Sequence, residues 1–497
     1  MKKKVPRTSG YIGIIILVFV YFVIHISIIY SQQSVTWQRL YDDIQHKDDY
    51  GYSVSLADSG NIYLVGSIHY WIPSPDYRIY VIKIKPDSDT IWSRVLAVNN
   101  ELYGGEAFCS AITDDSNIII SGDCGYMYTL KLNKNGSILW DYVYPHYVTN
   151  YSIINSLNGF LLCGVNYDSA TSTGYVLKLD IHGNIIWQHL LYPNTRMLSI
   201  DNTNDYGSIS AGLNYVVRLD SSGKDITWER FYDNYGCVDI KSVKKFNSSF
   251  FVGGMGFDSS NHSISGPCIV KLNDNGNIVF RRIFPGIDGL VSMKLLKDKL
   301  ILTTYHRSNG NDTCFNRIII TDTNGIVLIQ KIINYSGDVT IQSVEECTNH
   351  DLIFCGYCNF GSPQNGGDVY VLRTDSLLNY TPGFIGIKPI LQTVPDHYSL
   401  SQNFPNPFNP STKIKFSISP SPSKMERGLG GEEVNLTIYD ILGREVATLV
   451  NESLQAGTYE VEWSATGGAS NFASGVYFYR LVADGNIIDT KKMVLVK

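Results

Sequence analysis

Three features of the sequence predict an all-β protein, a seven-bladed β-propeller followed by an immunoglobulin-like β-sandwich, behind an N-terminal signal or transmembrane helix. An aromatic residue recurs at steps of 41 to 55 residues, and short alternating segments fill each interval. A second block of alternation, without that period, runs from Tyr398 to the C-terminus.

The chain has 497 residues, where roughly 150 per domain gives a prior of about three domains. Charged residues are 17%, below the ~25% of an average soluble domain, and hydrophobic residues are 44%. That apolar content is enough for large cores and excludes wholesale disorder. The formal net charge is −6, and no run of more than two Lys/Arg follows the first seven residues. A general nucleic-acid binder needs a basic footprint, so nucleic acid is excluded as a partner.

The N-terminus carries Lys2, Lys3, Lys4 and Arg7, then an apolar run from Tyr11 to Tyr30 broken by His25 and Ser27. A basic start followed by a long apolar core predicts a signal peptide or signal anchor over residues 1–31, touching the inner membrane in transit. Cleavage is expected near Ser31, although that site fits the A-x-A pattern poorly. A retained anchor is the competing reading.

The repeat begins at Trp37 and continues through Trp92, Trp140, Trp187, Trp228, Phe280 and Ile329, the structural positions of seven units. Each interval reads as four short strands, a to d. In the third unit they are Tyr151–Ser156, Gly159–Gly164, Gly174–Asp180 and Asn184–Leu191. The c–d turns, such as Asp180-Ile-His-Gly183 and Asp322-Thr-Asn-Gly325, supply the residues that tolerate the positive φ of a tight hairpin. Four-stranded units of this length match propeller blades. Seven a-b-c sets and seven d strands are present, so the orphan d strand Trp37–Tyr41 is expected to complete the last blade and remove two exposed edges. The propeller is placed at 32–381, a Pro/Gly-punctuated linker at 382–397 and the second domain at 398–497.

Alternating strand direction puts the b–c and d–a loops on one face. The b–c loops are the longer ones, and they make that face the candidate working face. Its first loop holds Tyr70, Trp71 and Tyr77, with Tyr167, Phe257 and Phe360 in the corresponding loops of other units. Exposed rings of this kind suit stacking on sugars or anchoring a protein partner, so these six are the candidate ligand-binding residues. The alternative is that they pack down as loop anchors.

Nine cysteines lie between Cys109 and Cys358, and an odd number leaves at least one without an intrachain partner. Cys109 and Cys124, expected on adjacent strands, form a plausible disulfide pair. Cys355 and Cys358 have C-x-x-C spacing, but no βαβ pattern surrounds them and Cys355-Gly356 repeats Cys163-Gly164, so they read as structural. The acids around Asp42, Asp43, Asp48 and Asp49 lack the EF-hand spacing, and the ten histidines show no zinc motif. No G-x-S-x-G elbow or Walker loop occurs. No metal, no cofactor and no catalytic residue is assigned.

The Gly-x-x-x-Trp ending of the units resembles the tryptophan-docking repeat of quinoprotein-type propellers, in which the ring packs between blades. Those enzymes bind their quinone against adjacent cysteines, and no Cys-Cys pair exists here. The Asp-x-x-Gly turns approach the Asp-box of sialidases, but with too long a spacing to the aromatic residue.

The second domain alternates through Lys413–Ile418, Val434–Tyr439, Glu445–Val450, Gly457–Trp463, Gly475–Leu481 and Lys491–Val496, with Trp463 as the expected core ring and Ser419–Glu433 as an insertion. Asn403-Phe-Pro-Asn-Pro-Phe-Asn-Pro410, Ile438-Tyr-Asp-Ile-Leu-Gly-Arg-Glu-Val446, Gly457-Thr-Tyr459, Ser474–Arg480 and Lys491–Lys497 together closely resemble the type A C-terminal sorting domain (Por secretion tail) of type IX secretion substrates. The resemblance implies translocation across the outer membrane by the type IX machinery, then removal of the tail by a sortase-like peptidase and surface attachment or release.

Three functions follow as expectations: a non-catalytic module binding a glycan or surface protein, a structural or adhesive surface protein, and a secreted polysaccharide-degrading enzyme. The last would need clustered carboxylates or a His/Tyr constellation pointing into the propeller funnel.

Overall fold

A computed structural model of the chain describes residues 36–496 except 42–47, 58–59, 71–75, 99–103, 169–170, 233–235, 258–264, 307–314, 334–337, 360–366, 381–387, 392–396, 410, 420–431, 455–456 and 465–471. The N-terminal signal segment, Trp71, Phe360 and the centre of the insertion lie outside the described residues.

The described residues form nine four-stranded antiparallel sheets and no helix. Seven sheets follow the chain as successive blades. Blade 1 is Asp48–Leu56, Ile62–Tyr70, Asp76–Ile84 and Thr90–Leu96. Blade 7 is Asp338–Glu346, Leu352–Asn359 and Asp368–Thr374, and its fourth strand is the N-terminal Trp37–Tyr41, paired from Trp37↔Arg373 to Tyr41↔Val369. The ring is therefore closed by the two ends of the propeller sequence, as the strand count requires.

Blade cores are shared rather than private. Seven buried clusters each join one blade to the next; the cluster closing the ring packs Val54, Ile62, Leu64 and Ile82 of blade 1 on Ile353, Cys355, Val369 and Val371 of blade 7. Each such side chain gives roughly 1.5–3 kcal/mol on burial, so blade-to-blade packing supplies much of the apolar stabilisation.

Two rings of polar latches reinforce these joints. At the rim of three joints, the d-strand indole of one blade and the c-strand cation beside it converge on one carbonyl in the next blade's c–d turn. Trp92 Nε1 and Lys83 Nζ donate to Lys134 O at 3.3 and 2.8 Å. Trp228 Nε1 and Arg218 Nη1 donate to Asp274 O at 2.8 and 2.9 Å, and Trp37 Nε1 and Arg373 Nη1 donate to Pro86 O at 2.9 and 2.7 Å. The Trp92 and Trp228 rings also lie under the turn glycines Gly136 and Gly276. Gly276 has φ +78°, and a Cβ there would meet the Trp228 ring at 2.8 Å.

Around the axis, strand a of each blade carries Ser53, Cys109, Ser152, Ser199, Ser242, Ser292 or Ser343 at one register position, opposite the matching residue of strand b. These hydroxyls clasp the neighbouring blade. Ser343 Oγ accepts from Val54 N at 3.3 Å, Ser199 Oγ accepts from Val243 N at 3.1 Å, and Ser242 Oγ donates to Met293 O at 3.1 Å.

The cysteines depart from expectation. The eight described cysteines are free. Cys109 faces the joint between blades 2 and 3, whereas Cys124 packs against the joint between blades 1 and 2, so the two thiols lie on opposite faces of one sheet. Cys355 and Cys358, three residues apart on one strand, likewise face opposite sides of their sheet and belong to different clusters.

The C-terminal domain is a sandwich of two sheets around one core, with Trp463 fully buried and Phe408, of the Asn-Phe-Pro-Asn-Pro-Phe block, 5.3 Å from it. Asn403 anchors that block: its N–H donates to Tyr479 Oη at 2.8 Å, and its side-chain amide donates to Thr412 Oγ1 at 2.9 Å. Lys388–Leu391, inside the stretch read as linker, adds an edge strand beside Gly457–Ser464.

Candidate functional site at the channel mouth

The seven a strands enclose a central cavity of about 960 Å³. Topology puts the first half of each a strand, the last residues of each b strand and the b–c and d–a loops at the same end of it. At that end the sequence places aromatic residues just ahead of the axial serine position: Tyr52 before Ser53, Phe108 before Cys109 and Tyr151 before Ser152.

These rings form a continuous crescent. Tyr77 meets His69 edge-on with centroids 4.5 Å apart, and His69 meets Tyr50 at 4.5 Å. Tyr50 and Tyr52 then both contact Tyr357, at 4.8 and 6.1 Å. Tyr52 lies 5.2 Å from Phe108, and Phe108 lies 5.7 Å from Tyr151. Tyr151 bonds the Tyr167 side chain, and the Tyr167 N–H donates to Tyr147 O at 2.7 Å. Tyr147 finally stacks on Tyr126 at 4.9 Å. All the rings of the crescent from Tyr77 to Tyr151 are half-buried, while Tyr147 and Tyr167 are exposed.

Polar groups rim the track. His69 Nε2 is 2.9 Å from Glu106 Oε1, at the start of strand a in blade 2. His146 Nδ1 is 3.1 Å from Asp168 Oδ2, beside Tyr167. Burial, reinforced by Asp48, Tyr357, Glu106 and Tyr77, pushes the Tyr50 phenol up to about 12. Burial, then Tyr167, pushes Tyr151 to about 12, and burial with Glu106 raises Tyr52 further. At neutral pH these phenols therefore remain O–H donors and not phenolate bases.

Farther down the channel the lining becomes charged on one side. Lys294 pairs with Glu345, and burial lowers the pKa of Lys244, with the Asp201 carboxylate acting in the opposite direction. No group of three or more His, Cys, Asp or Glu suited to a metal occurs among the described residues.

Of the sequence-predicted ligand residues, Tyr77 and Tyr167 belong to this track. Tyr70 packs against the blade 7–blade 1 core cluster, and Phe257 ends strand b of blade 5, half-buried. Tyr50, Tyr52, Phe108, Tyr151 and Tyr357 were not singled out, because they lie on strands and not in loops. The signal for Tyr52, Phe108 and Tyr151 is the aromatic residue one place before the Ser/Cys position in three consecutive units, while Tyr50 and Tyr357 carry no such mark.

Residues 402–497 match the secretion system C-terminal sorting domain. No curated protein resembles the chain at a significant level. Among solved structures, a Bacteroides caccae protein of unknown function aligns at 14% identity over 58% of this chain and 94% of its own, with a TM-score of 0.38. Sqt1 from Chaetomium thermophilum aligns at 13% identity over 68% and 90%, with a TM-score of 0.45. The extracellular domain of a B. thetaiotaomicron protein assigned to the hybrid two-component systems aligns at 10% identity over 94% of this chain and 58% of its own, with a TM-score of 0.44. The sorting domain marks the chain as one that passes through type IX secretion to the outer surface or the medium.

Proposed function

Starting from an exported protein that is secreted or held at the outer cell surface through its sorting domain, we propose that the propeller is a non-catalytic module that binds an extended glycan along the channel-mouth track. The observation that carries this reading is the crescent itself. Successive ring contacts from Tyr77 to Tyr151 run at centroid distances of 4.5 to 6.1 Å, on the face with the longer loops. Flat half-buried faces suit the C–H faces of sugars, and phenol, imidazole and carboxylate groups beside them suit hydroxyls. The tail is then read as removed by a sortase-like peptidase, leaving the propeller as the working protein.

A second reading, polysaccharide cleavage, is favoured by the His69–Glu106 contact among tyrosines, the constellation such an enzyme would place in the funnel. Against it stand the raised Tyr50, Tyr52 and Tyr151 phenols, since a tyrosine acting as base needs the opposite shift.

Both readings meet in one experiment, in which the purified propeller is titrated with pectic, xylan and β-glucan oligosaccharides while unsaturated and reducing-end products are assayed. Binding without product is expected, with Tyr52→Ala and Phe108→Ala each weakening it about tenfold, the equivalent of ~1.4 kcal/mol of lost stacking. The loop pair Trp71→Ala with Tyr77→Ala is expected to weaken it too without lowering Tm. Product formation abolished by His69→Ala selects the enzyme; affinity indifferent to all the ring substitutions removes the site.

A further inference from the structure

Cys237 and Cys268 are the exception among the cysteines. Both are fully buried in the joint between blades 4 and 5, and their Sγ atoms are 3.2 Å apart. They sit on strands a (Cys237–Phe246) and c (Ser265–Asn273) of blade 5, separated by strand b (Ser249–Phe257). The residue between them is Gly256, which pairs with Cys237; a Cβ there would stand 2.7 Å from Cys268 Cβ and 3.2 Å from its Sγ. The missing side chain is the opening through which the thiols meet.

The location gives a cross-link something to do. Strand a of blade 5 pairs with strand b at Cys237 and Val238, then leaves the ladder until Ser242. In that interval Asp239 adopts φ +48°, and Ile240 turns to the neighbouring blade, its N–H bonding Leu213 O. The strand's beginning is held to its own sheet by two ladder positions, one of them Cys237, and by the Phe257 N–H bond to Gly236 O.

We propose that the exported protein carries a Cys237–Cys268 disulfide that staples the start of this strand across Gly256. The inference rests on export through the sorting domain, not on glycan binding. The thiols need to close by about 1.2 Å to reach the length of an S–S bond. The chemistry is exchange with a disulfide of an extracytoplasmic thiol oxidoreductase. Each cysteine loses its thiol proton, one S–S bond forms between Cys237 and Cys268, and the oxidant's S–S bond is reduced to two thiols that take those protons. The contact with Cys237, then burial, holds the Cys268 pKa well above the ordinary thiol range, so exchange takes place before the blade closes, and burial shields the finished bond from reductants.

The test is peptide mapping of the protein recovered from the medium or cell surface without reductant, with free thiols alkylated in denaturant before digestion. The expected result is one cross-linked pair joining the peptides of Cys237 and Cys268, while the other seven cysteines, Cys109, Cys124, Cys163, Cys314, Cys347, Cys355 and Cys358, are alkylated. Recovery of Cys237 and Cys268 both alkylated, or of either joined to a different cysteine, overturns the proposal. In Cys237→Ser protein, Cys268 is expected to become an alkylatable thiol; the same cross-link mass persisting elsewhere would show that the pairing was misassigned. A glycan-binding failure leaves this result untouched.

Discussion

The propeller uses aromatic rings in two concentric places, and the two treat the same chemistry in opposite ways. At the rim the indoles of Trp92 and Trp228 are finished: each N–H is spent on a carbonyl of the next blade, each ring lies under a turn glycine, and a Lys or Arg flanks it. At the channel mouth the rings contact one another in a row, half-buried, with their phenols at the entrance to a cavity. Ring content alone does not distinguish structure from recognition. What the ring's polar atom bonds to does, because a buried N–H without a partner would cost more than the bond gains.

The largest effect that separates the two regions is expected at the rim. Gly276→Ala must place a Cβ at φ +78° and 2.8 Å from the Trp228 ring, whereas Gly443 has the same φ in a sandwich turn with nothing within 4 Å. Backbone strain alone costs on the order of 1 kcal/mol, and overpacking a latch adds about 1–3 kcal/mol. Thermal unfolding should therefore show Gly276→Ala losing markedly more stability than Gly443→Ala, each assigned to its own domain's transition. Equal losses would mean the indole is free to move and the latch is not a packed joint.

A smaller effect isolates the latch hydrogen bond. Trp228→Phe keeps a ring under Gly276 but removes the donor to Asp274 O, and Arg218 still reaches that carbonyl. A loss of about 1 kcal/mol is expected in chemical denaturation, with glycan binding unchanged. Phe280 and Ile329 already occupy the slot without an N–H, so blades 5 and 6 show that the joint survives on packing. The mouth variants of Tyr52 and Phe108 should show the reverse pattern, affinity lost and stability kept.

Much of this architecture was legible in the sequence because it repeats. Trp37, Trp92, Trp140, Trp187 and Trp228 announce the blades, and the surplus d strand at Trp37 requires the closure onto Asp368–Thr374. The Lys or Arg paired with most of those rings (Lys83 with Trp92, Arg218 with Trp228) was equally periodic, but a cation on an exposed-looking strand gives no sign that its partner is a carbonyl in the next blade. The site was less legible for a physical reason. A ring such as Tyr52 alternates correctly for a strand, and only the closed ring reveals that strand a is innermost and that its first half faces a cavity. The cysteines show the same limit: Cys109 and Cys124 are near in sequence yet face different joints, while Cys237 and Cys268 meet across a strand because Gly256 is bare.

The finest comparison is in pH, where rim and mouth are expected to fail in opposite directions. In the rim turns, Asp180 is held below the ordinary carboxylate range: slight burial would raise it, but bonds from the Asn184 side chain and backbone and the His182 N–H outweigh that. Asp220 is lowered first by Ser222, then by the backbone of its own turn. A carboxyl with a depressed folded pKa contributes stability above its unfolded value near pH 4, and that contribution is lost as pH falls through the folded value. The mouth runs the other way. Tyr50 is raised to about 12, so its contribution is complete below the unfolded phenol value near 10 and is lost as pH climbs through about 12. Ultraviolet titration should thus show a class of phenols protected beyond the ordinary value near 10, shared with buried tyrosines elsewhere such as Tyr128, Tyr175 and Tyr479, from which Tyr50→Phe and Tyr151→Phe should each remove one phenol. Asp180→Asn should shift only the acid limb. If instead Tyr50→Phe and Tyr151→Phe each remove a phenol from the ordinary class, the mouth rings are solvated and the crescent does not exist in solution as described.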